Sequence, residues 1–353
     1  MTFTEKVIKF AKETAGADIC GIAPASRFDK DDPIFKIYPD VKSVIGIGFR
    51  ILRGSIRGIE EGTTYYQYTT MAVECLEETV MPCAAIQVAN FLEDNGFVGL
   101  PQRKHQHFTA KTDETNPEIL HDFMRFGVDK EVQMNMEDAA VKCGLGERGL
   151  HGKVLCDEFG PLLRYMFVLT DAELDASEMY TPHLCDKCGK CVKACPGKAI
   201  SEDGKLDTWQ CSVYYAGANG TKNPFMQPEA YSEFDNRLDI IAGEAKVDKE
   251  LAYSILSATV FYPPIGKGHA YRSSICGRAC DTACYIHLEE KGVLTKKFKT
   301  FYVDSRTQKQ VEYDKAMYHF SFAEAQSELN AMARERKWRV YDGISPADWS
   351  VVV

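Results

Sequence analysis

No apolar run in these 353 residues approaches the roughly 20 needed to cross a bilayer. There is no internal repeat and no low-complexity tract. Positive charge is not in excess either: 42 Lys and Arg face 51 Asp and Glu, a formal net charge of −9. Binding to phosphate backbones relies on Lys and Arg releasing counterions, so this balance argues against a nucleic-acid partner. The start lacks the apolar stretch of an export signal, since Met1 leads straight into the charged TFTEKVIKFAKE. Neither a membrane protein nor a secreted one is expected, and a cytoplasmic location is. Apolar residues at 45% and charged residues at 26% exclude a disordered, collagenous or coiled-coil chain. The length suits two domains, or one large domain with an insert.

What the sequence has in quantity is cysteine, 13 in all. An odd number in a long chain without an export signal does not describe a disulfide scaffold. Five are scattered, Cys20, Cys75, Cys83, Cys143 and Cys156, and each is expected to be a small buried residue. The other eight lie in the C-terminal half. LCDKCGKCVKACPGKAI carries Cys185, Cys188, Cys191 and Cys195, with Pro196 behind them. WQCSVYY adds Cys211, and SSICGRACDTACYIH adds Cys276, Cys280 and Cys284.

The first run is C-x2-C-x2-C-x3-C-P, the bacterial ferredoxin spacing, in which three close thiolates grip one cubane and the fourth serves another. Pro196 closes it by removing a backbone donor. A structural zinc site needs two pairs and no proline, so iron–sulfur is the expectation. Two 4Fe-4S clusters need about eight thiolates, matching the eight on offer. The expected sets are Cys185, Cys188, Cys191 and Cys284, then Cys195, Cys211, Cys276 and Cys280. The late C-x3-C-x3-C has no following proline and departs from the ferredoxin pattern, which suggests a strained or altered second cluster. One cluster plus buried thiols is the alternative.

Upstream, apolar patterning predicts a helix near the start capped by Thr4. It predicts strands at 42–49, 97–101 and 162–170, one or two helices over 65–96 broken near Pro82, and a helix over 136–143. This is an α+β layering. The expected organisation is a domain over 1–175 and a two-cluster module over 176–290 with an insert at 225–268. A helical extension and tail follow over 291–353, its helix at 315–337. CGLGERGLHGK holds Gly144, Gly146, Gly149 and Gly152; formally G-x-G-x-x-G, it follows a helix and lacks the strand context of a dinucleotide site. The better reading is a backbone that comes close to something large and flat, and DEFGPLLR (157–164) is a second such loop.

GLGERGLHGK, EFGPLLRYMFVLTDAEL and CDKCGKCVKACPGKAI, in that order, resemble the family of epoxyqueuosine reductases and reductive dehalogenases. Weaker likeness runs through ADICGIAPASRF, PDVKSVIGIGF and FLEDNGFVGLP, so it covers about residues 5–215, with Cys276–Cys284 as a late anchor. The resemblance implies a nitroreductase-like α/β domain binding cobalamin, followed by a two-cluster ferredoxin-like module. Electrons from reduced ferredoxin or flavodoxin would pass through the clusters to cobalt and on to a small-molecule substrate. Gly144, Gly146, Gly149, Gly152, Phe159 and Gly160 match loops that approach the corrinoid. The acidic proton donor of the tRNA-reducing branch has Asp129 as its candidate here. With 69 residues after Cys284 and an acidic balance, tRNA is not the expected substrate.

Other residues offer chemistry. Tyr66 and Tyr68, with Tyr65, are candidate proton donors, and amphipathic packing is the plainer reading. His105 and His107 alternate as on one strand face. His151 lies inside the glycine loop and is the preferred ligand-facing histidine. Arg103, Lys104 and Arg164 are cations suited to anionic groups, or else solvated. Two functions remain open: a reductase, or an electron-transfer protein that reduces a partner such as a corrinoid protein. About 180 residues ahead of the clusters favour the reductase.

Overall fold

The structure, a computed structural model, describes residues 1–60, 68–102, 132–220, 223, 226, 230–258 and 274–302. Helix α1 (Phe3–Glu13) starts at a capping box: Thr2 accepts from the Glu5 N–H, and the Glu5 carboxylate accepts from the Thr2 N–H. The cap is therefore Thr2, not Thr4. Thr4 is buried, and its hydroxyl accepts from the Asp175 N–H at 2.8 Å.

Four strands form one antiparallel sheet in the order β1 (Ile19–Pro24), β2 (Ser43–Arg50), β6 (Leu163–Thr170), β3 (Gly99–Gln102). Strand β2 is buried along almost its whole length, because both sheet faces are covered and Val44–Phe49 is an apolar run. On one face, Ile45, Ile47, Met166 and Val168 pack with Val7 and Ala11 of α1 and with Val88 and Leu92 of α4 (Met81–Glu93). On the other, Val44, Leu163, Phe167 and Leu169 meet Ile34 of α2 (Pro33–Ile37) and Ala139 and Ala140 of α5 (Met136–Lys142). Helix α3 (Arg53–Glu60) follows β2. The expected strands and helices of this half are present, and β1 is an addition.

The expected break near Pro82 has a definite form. Tyr68–Glu74 and Leu76–Val80 wind in wide π-helical turns, and regular helix resumes at α4 with Pro82 in its first turn. Proline lacks the donor for a preceding α-helical bond and clashes with the carbonyl four residues back, so it sits where a helix begins.

Between α5 and β6 the glycine loop folds into a two-stranded hairpin, β4 (Glu147–Arg148) and β5 (Val154–Leu155). Beyond the sheet come α6 (Lys190–Ala194), α7 (Thr208–Tyr215), α8 (Arg237–Ala242), α9 (Lys249–Ala258) and α10 (Ala279–Glu290). Val213 and Tyr214 of α7 form a small core with Ile240, Ile241, Ala252 and Ile255. Buried Gln210 ties this region together, donating to the carbonyls of Gly197 and Ala245 and accepting from the Val247 N–H. The helical module and the sheet half share an apolar cluster, in which Tyr285, Leu288, Leu294 and Tyr302 meet Ile51, Ile56, Leu155 and Leu162. The expected helix at 315–337 lies outside the described residues.

Candidate functional site

Cys185, Cys188 and Cys191 come from a loop entering α6, and Cys284 from α10, which packs beside it. These four thiols line one small cavity together with His151 and His287. Burial, then Asp281, then the thiols of Cys191, Cys185 and Cys188 push the Cys284 thiol up. The loop turns tightly because Lys187 and Gly189 both take left-handed backbone conformations.

A second group gathers around Cys280, about one turn before Cys284 on α10. Burial first, then the neighbouring thiols of Cys276 and Cys195, push Cys211 up to about 11. Burial and Asp281, then Cys276 and Cys211, raise Cys280. Cys195 thus stands beside Cys211 and Cys276, away from the run that carries it. Cys280 and Cys284 are four residues apart on one helix, so both ride along the same side of α10, between the two groups. This accounts for the late C-x3-C-x3-C: its last interval is a helical repeat, not a loop. Ahead of it Gly277 and Arg278 are both left-handed, at φ 58° and 53°. For arginine this conformation costs about 1–2 kcal/mol.

Both groups are rich in fixed donors. The Leu150 N–H donates to Cys185 Sγ and the Ala199 N–H to Cys195 Sγ, each at 3.3 Å. Buried Glu147 on β4 gathers the entrance to the first run. Its Oε2 accepts from the N–H groups of His183 (2.5 Å) and Leu184 (3.0 Å), and its Oε1 from that of Cys185 (2.6 Å). Nothing in the local sequence marks Glu147; its partners lie 36–38 residues away.

His151 is buried. Its Nε2 lies 3.2 Å from Asp281 Oδ1, and Asp281 Oδ2 lies 2.7 Å from Arg278 Nη2. Burial alone would lift the Asp281 carboxyl, but the Arg278 guanidinium and His151 outweigh it and hold it well below the usual carboxylate range. His151 therefore meets Asp281 as well as the first thiol cavity. Asp281 and Arg278 carried no signal beyond their place between cysteines.

Arg164 is not solvated. Its Nε lies 2.5 Å from Glu77 Oε1, and its Nη2 donates to the Tyr68 hydroxyl at 3.1 Å. Tyr68 is fully buried; burial raises its phenol, with Arg278 and Arg164 pulling the other way. Tyr65, Tyr66, Asp129, Arg103, Lys104, His105 and His107 lie outside the described residues.

The glycines meet the chain itself. A Cβ on Gly144 would stand 2.3 Å from the Glu178 carbonyl oxygen, and one on Gly146 2.0 Å from that of Leu155. On Gly149 it would meet the His151 ring at 3.1 Å, and on Gly160 Leu288 of α10 at 3.0 Å. Gly152 faces open space. Phe159 packs with both the α5 side and the α10 side, and Arg50 lies over its ring at 5.9 Å. The close approach read from these glycines is real at Gly144, Gly146 and Gly160, and what comes close is the protein's own backbone and α10. Among the five scattered cysteines, Cys143 and Cys156 are buried and Cys20 is pushed up to about 12 by burial, but Cys75 and Cys83 are exposed and do not serve as packing residues.

A family model described as "4Fe-4S binding domain" matches residues 179–201. An epoxyqueuosine reductase from Prochlorococcus marinus (strain NATL2A) is 32% identical over 80 residues, 23% of this chain and 25% of that protein. A tetrachloroethene reductive dehalogenase from Desulfitobacterium hafniense is 42% identical over 67 residues, 18% of this chain and 12% of that one. The matches thus span a quarter or less of these relatives' length. Among solved structures, the epoxyqueuosine reductase of Streptococcus thermophilus has a TM-score of 0.43 at 13% identity, covering 99% of this chain and 93% of that one. No helix among the described residues is long and apolar enough to cross a membrane.

Proposed function

We propose, for a chain that is a divergent relative of the epoxyqueuosine reductases and reductive dehalogenases, that it is a cytoplasmic iron–sulfur reductase with two 4Fe-4S clusters. Cys185, Cys188, Cys191 and Cys284 hold one cluster, and Cys195, Cys211, Cys276 and Cys280 the other. The observation that carries this reading is the crossing of thiols: Cys195 leaves its run for the second group, and Cys284 joins the first. Two cubanes sharing swapped ligands need that arrangement, whereas one cluster with spare buried thiols does not. As iron ligands these eight sulfurs would be thiolates, so cluster binding would be favoured as pH rises.

Held by these eight cysteines, two clusters would supply one-electron chemistry, with a reduced ferredoxin or flavodoxin as donor and an acceptor site in the sheet half, which would have a nitroreductase-like organisation. That site is of the cobalamin type, or is a vacated version of it, and the substrate is a small molecule, not tRNA. Cobalamin, when bound, supplies a low-potential metal centre. The described glycines do not form its cradle, because Gly144, Gly146 and Gly160 lie against the chain itself. What the chain contributes is legible in its own residues. Tyr68, kept protonated by burial and oriented by Arg164, holds a proton in the field of Arg278, the arginine between Cys276 and Cys280, and Tyr66 precedes it in sequence. His151 and Asp281 fix the hairpin against α10 between the two groups.

Anaerobically reconstituted protein mixed with cobalamin, followed by absorption spectroscopy and mass analysis, tests the acceptor. Tight corrinoid retention establishes the cobalamin form. Binding of flavin or another small acceptor instead identifies a vacated site. Binding of none favours the shuttle that reduces a partner protein.

A further inference from the structure

We propose that the lysine-rich face around Cys188 is the docking surface for a small acidic electron-carrier protein. The inference rests on the two-cluster reading, because it takes Cys188 to be a ligand at the outer edge of the first cluster.

The chain is acidic as a whole, with a net charge of −9. Two segments reverse that balance. Residues 187–199 carry Lys187, Lys190, Lys193 and Lys198 with no carboxylate, and residues 291–299 carry Lys291, Lys296, Lys297 and Lys299, again with none. The fold brings the two segments together, since Lys291 Nζ and His287 Nε2 both reach Asp186 at 2.9 Å, and Lys190 Nζ lies 3.2 Å from Glu290. All eight lysines are exposed, and so is Cys188, whereas Cys191 of the same run is buried.

The nearby carboxylates are already engaged. Asp186 is held by His287 and Lys291, Glu290 by Lys190, Glu289 by Arg53, and Glu244 by Lys198. Lys187, Lys193, Lys296 and Lys299 make no ion pair among the described residues. An exposed thiol flanked in sequence by Lys187 and Lys190, on a lysine-rich face of an acidic protein, gives an electron an entry point and gives an acidic carrier an orientation. Fields of this kind raise association rates by roughly 10- to 1,000-fold and decline steeply with salt.

The redox step balances on one electron. The anionic flavin hydroquinone of a reduced flavodoxin becomes the neutral semiquinone, and a 4Fe-4S cluster passes from the 2+ to the 1+ state.

Stopped-flow mixing of the anaerobic holoprotein with reduced acidic flavodoxin tests this, with cluster bleaching and semiquinone formation followed together. The second-order rate is expected to fall by about ten-fold or more between about 20 mM and about 500 mM salt. The variant K187E/K193E/K296E/K299E should slow by about ten-fold or more at low salt. Its iron content and its reduction by dithionite should stay unchanged. The control K6E/K36E, with exposed lysines on α1 and α2, should react at the wild-type rate. A rate independent of salt, or equal slowing by the control, overturns the docking surface. About four irons per chain in the wild-type holoprotein overturns the two-cluster reading beneath it.

Discussion

Replacing Glu147 with Ala should release the first cysteine run from the glycine-loop hairpin. In the folded chain one carboxylate serves three backbone donors, at 2.5, 3.0 and 2.6 Å, and Glu147 is only 4% exposed. Hydrogen bonds to a charged group contribute about 1.5–3 kcal/mol each, so the three together set a ceiling of about 4.5–9 kcal/mol. Water entering the space restores part of that, and a loss of about 3–5 kcal/mol is expected. It falls where Cys185 is held, so the first cluster should suffer before the second. Glu147→Gln grades the effect. Its amide oxygen can replace Oε2 for the His183 and Leu184 N–H groups, while its NH2 then faces the Cys185 N–H, donor against donor. Iron per chain and thermal unfolding, measured anaerobically, should rank wild type above Gln above Ala, with Ala near half the wild-type iron. Full iron and an unchanged melting temperature in Glu147→Ala would refute the claim that this carboxylate organises the run.

Two other substitutions separate structural from ligand-binding roles. Gly146→Ala should unfold the hairpin, because its Cβ would stand 2.0 Å from the Leu155 carbonyl oxygen, whereas Gly152→Ala, at φ 78° in open space, should cost only about 1–2 kcal/mol. Comparable melting temperatures for the two would show that the loop relaxes freely. Arg164→Met should lose about 2–4 kcal/mol, since it strands Glu77 and the buried Tyr68 hydroxyl. Unchanged stability with weakened anion binding would instead make Arg164 a substrate-facing cation.

The sheet half was legible because its apolar patterns are long. VIGIGF is an unbroken apolar run and LLRYMFVLT an apolar run interrupted by Arg164, both suited to central strands, and MEDAAVKC has helical periodicity. Strand β1 escaped notice because ICGIAP is short and made of small residues, so its cysteine drew attention instead of its extension. Helix α10 was hidden for a related reason: in CDTACYIHLEE the thiols and polar groups face two ligand groups, not one core, and the usual apolar stripe is weak. The total of eight thiols comes from ligand arithmetic and the proposed division into two sets from the ferredoxin pattern of swapped fourth ligands, and neither needs contacts. Glu147, Arg278 and Asp281 could not be found that way, because their roles depend on backbone and side chains brought together only by folding. The glycines show the limit of motif reading. A missing Cβ says that something approaches closely, but not whether it is a cofactor or the chain's own carbonyl, and at Gly144 and Gly146 it is the carbonyl.

The two-cluster assignment is tested most directly by iron and acid-labile sulfide analysis of anaerobically purified protein. Two cubanes require about eight irons and about eight sulfides per chain. A value of about four of each would leave one cluster and contradict the assignment of Cys195, Cys211, Cys276 and Cys280 as ligands.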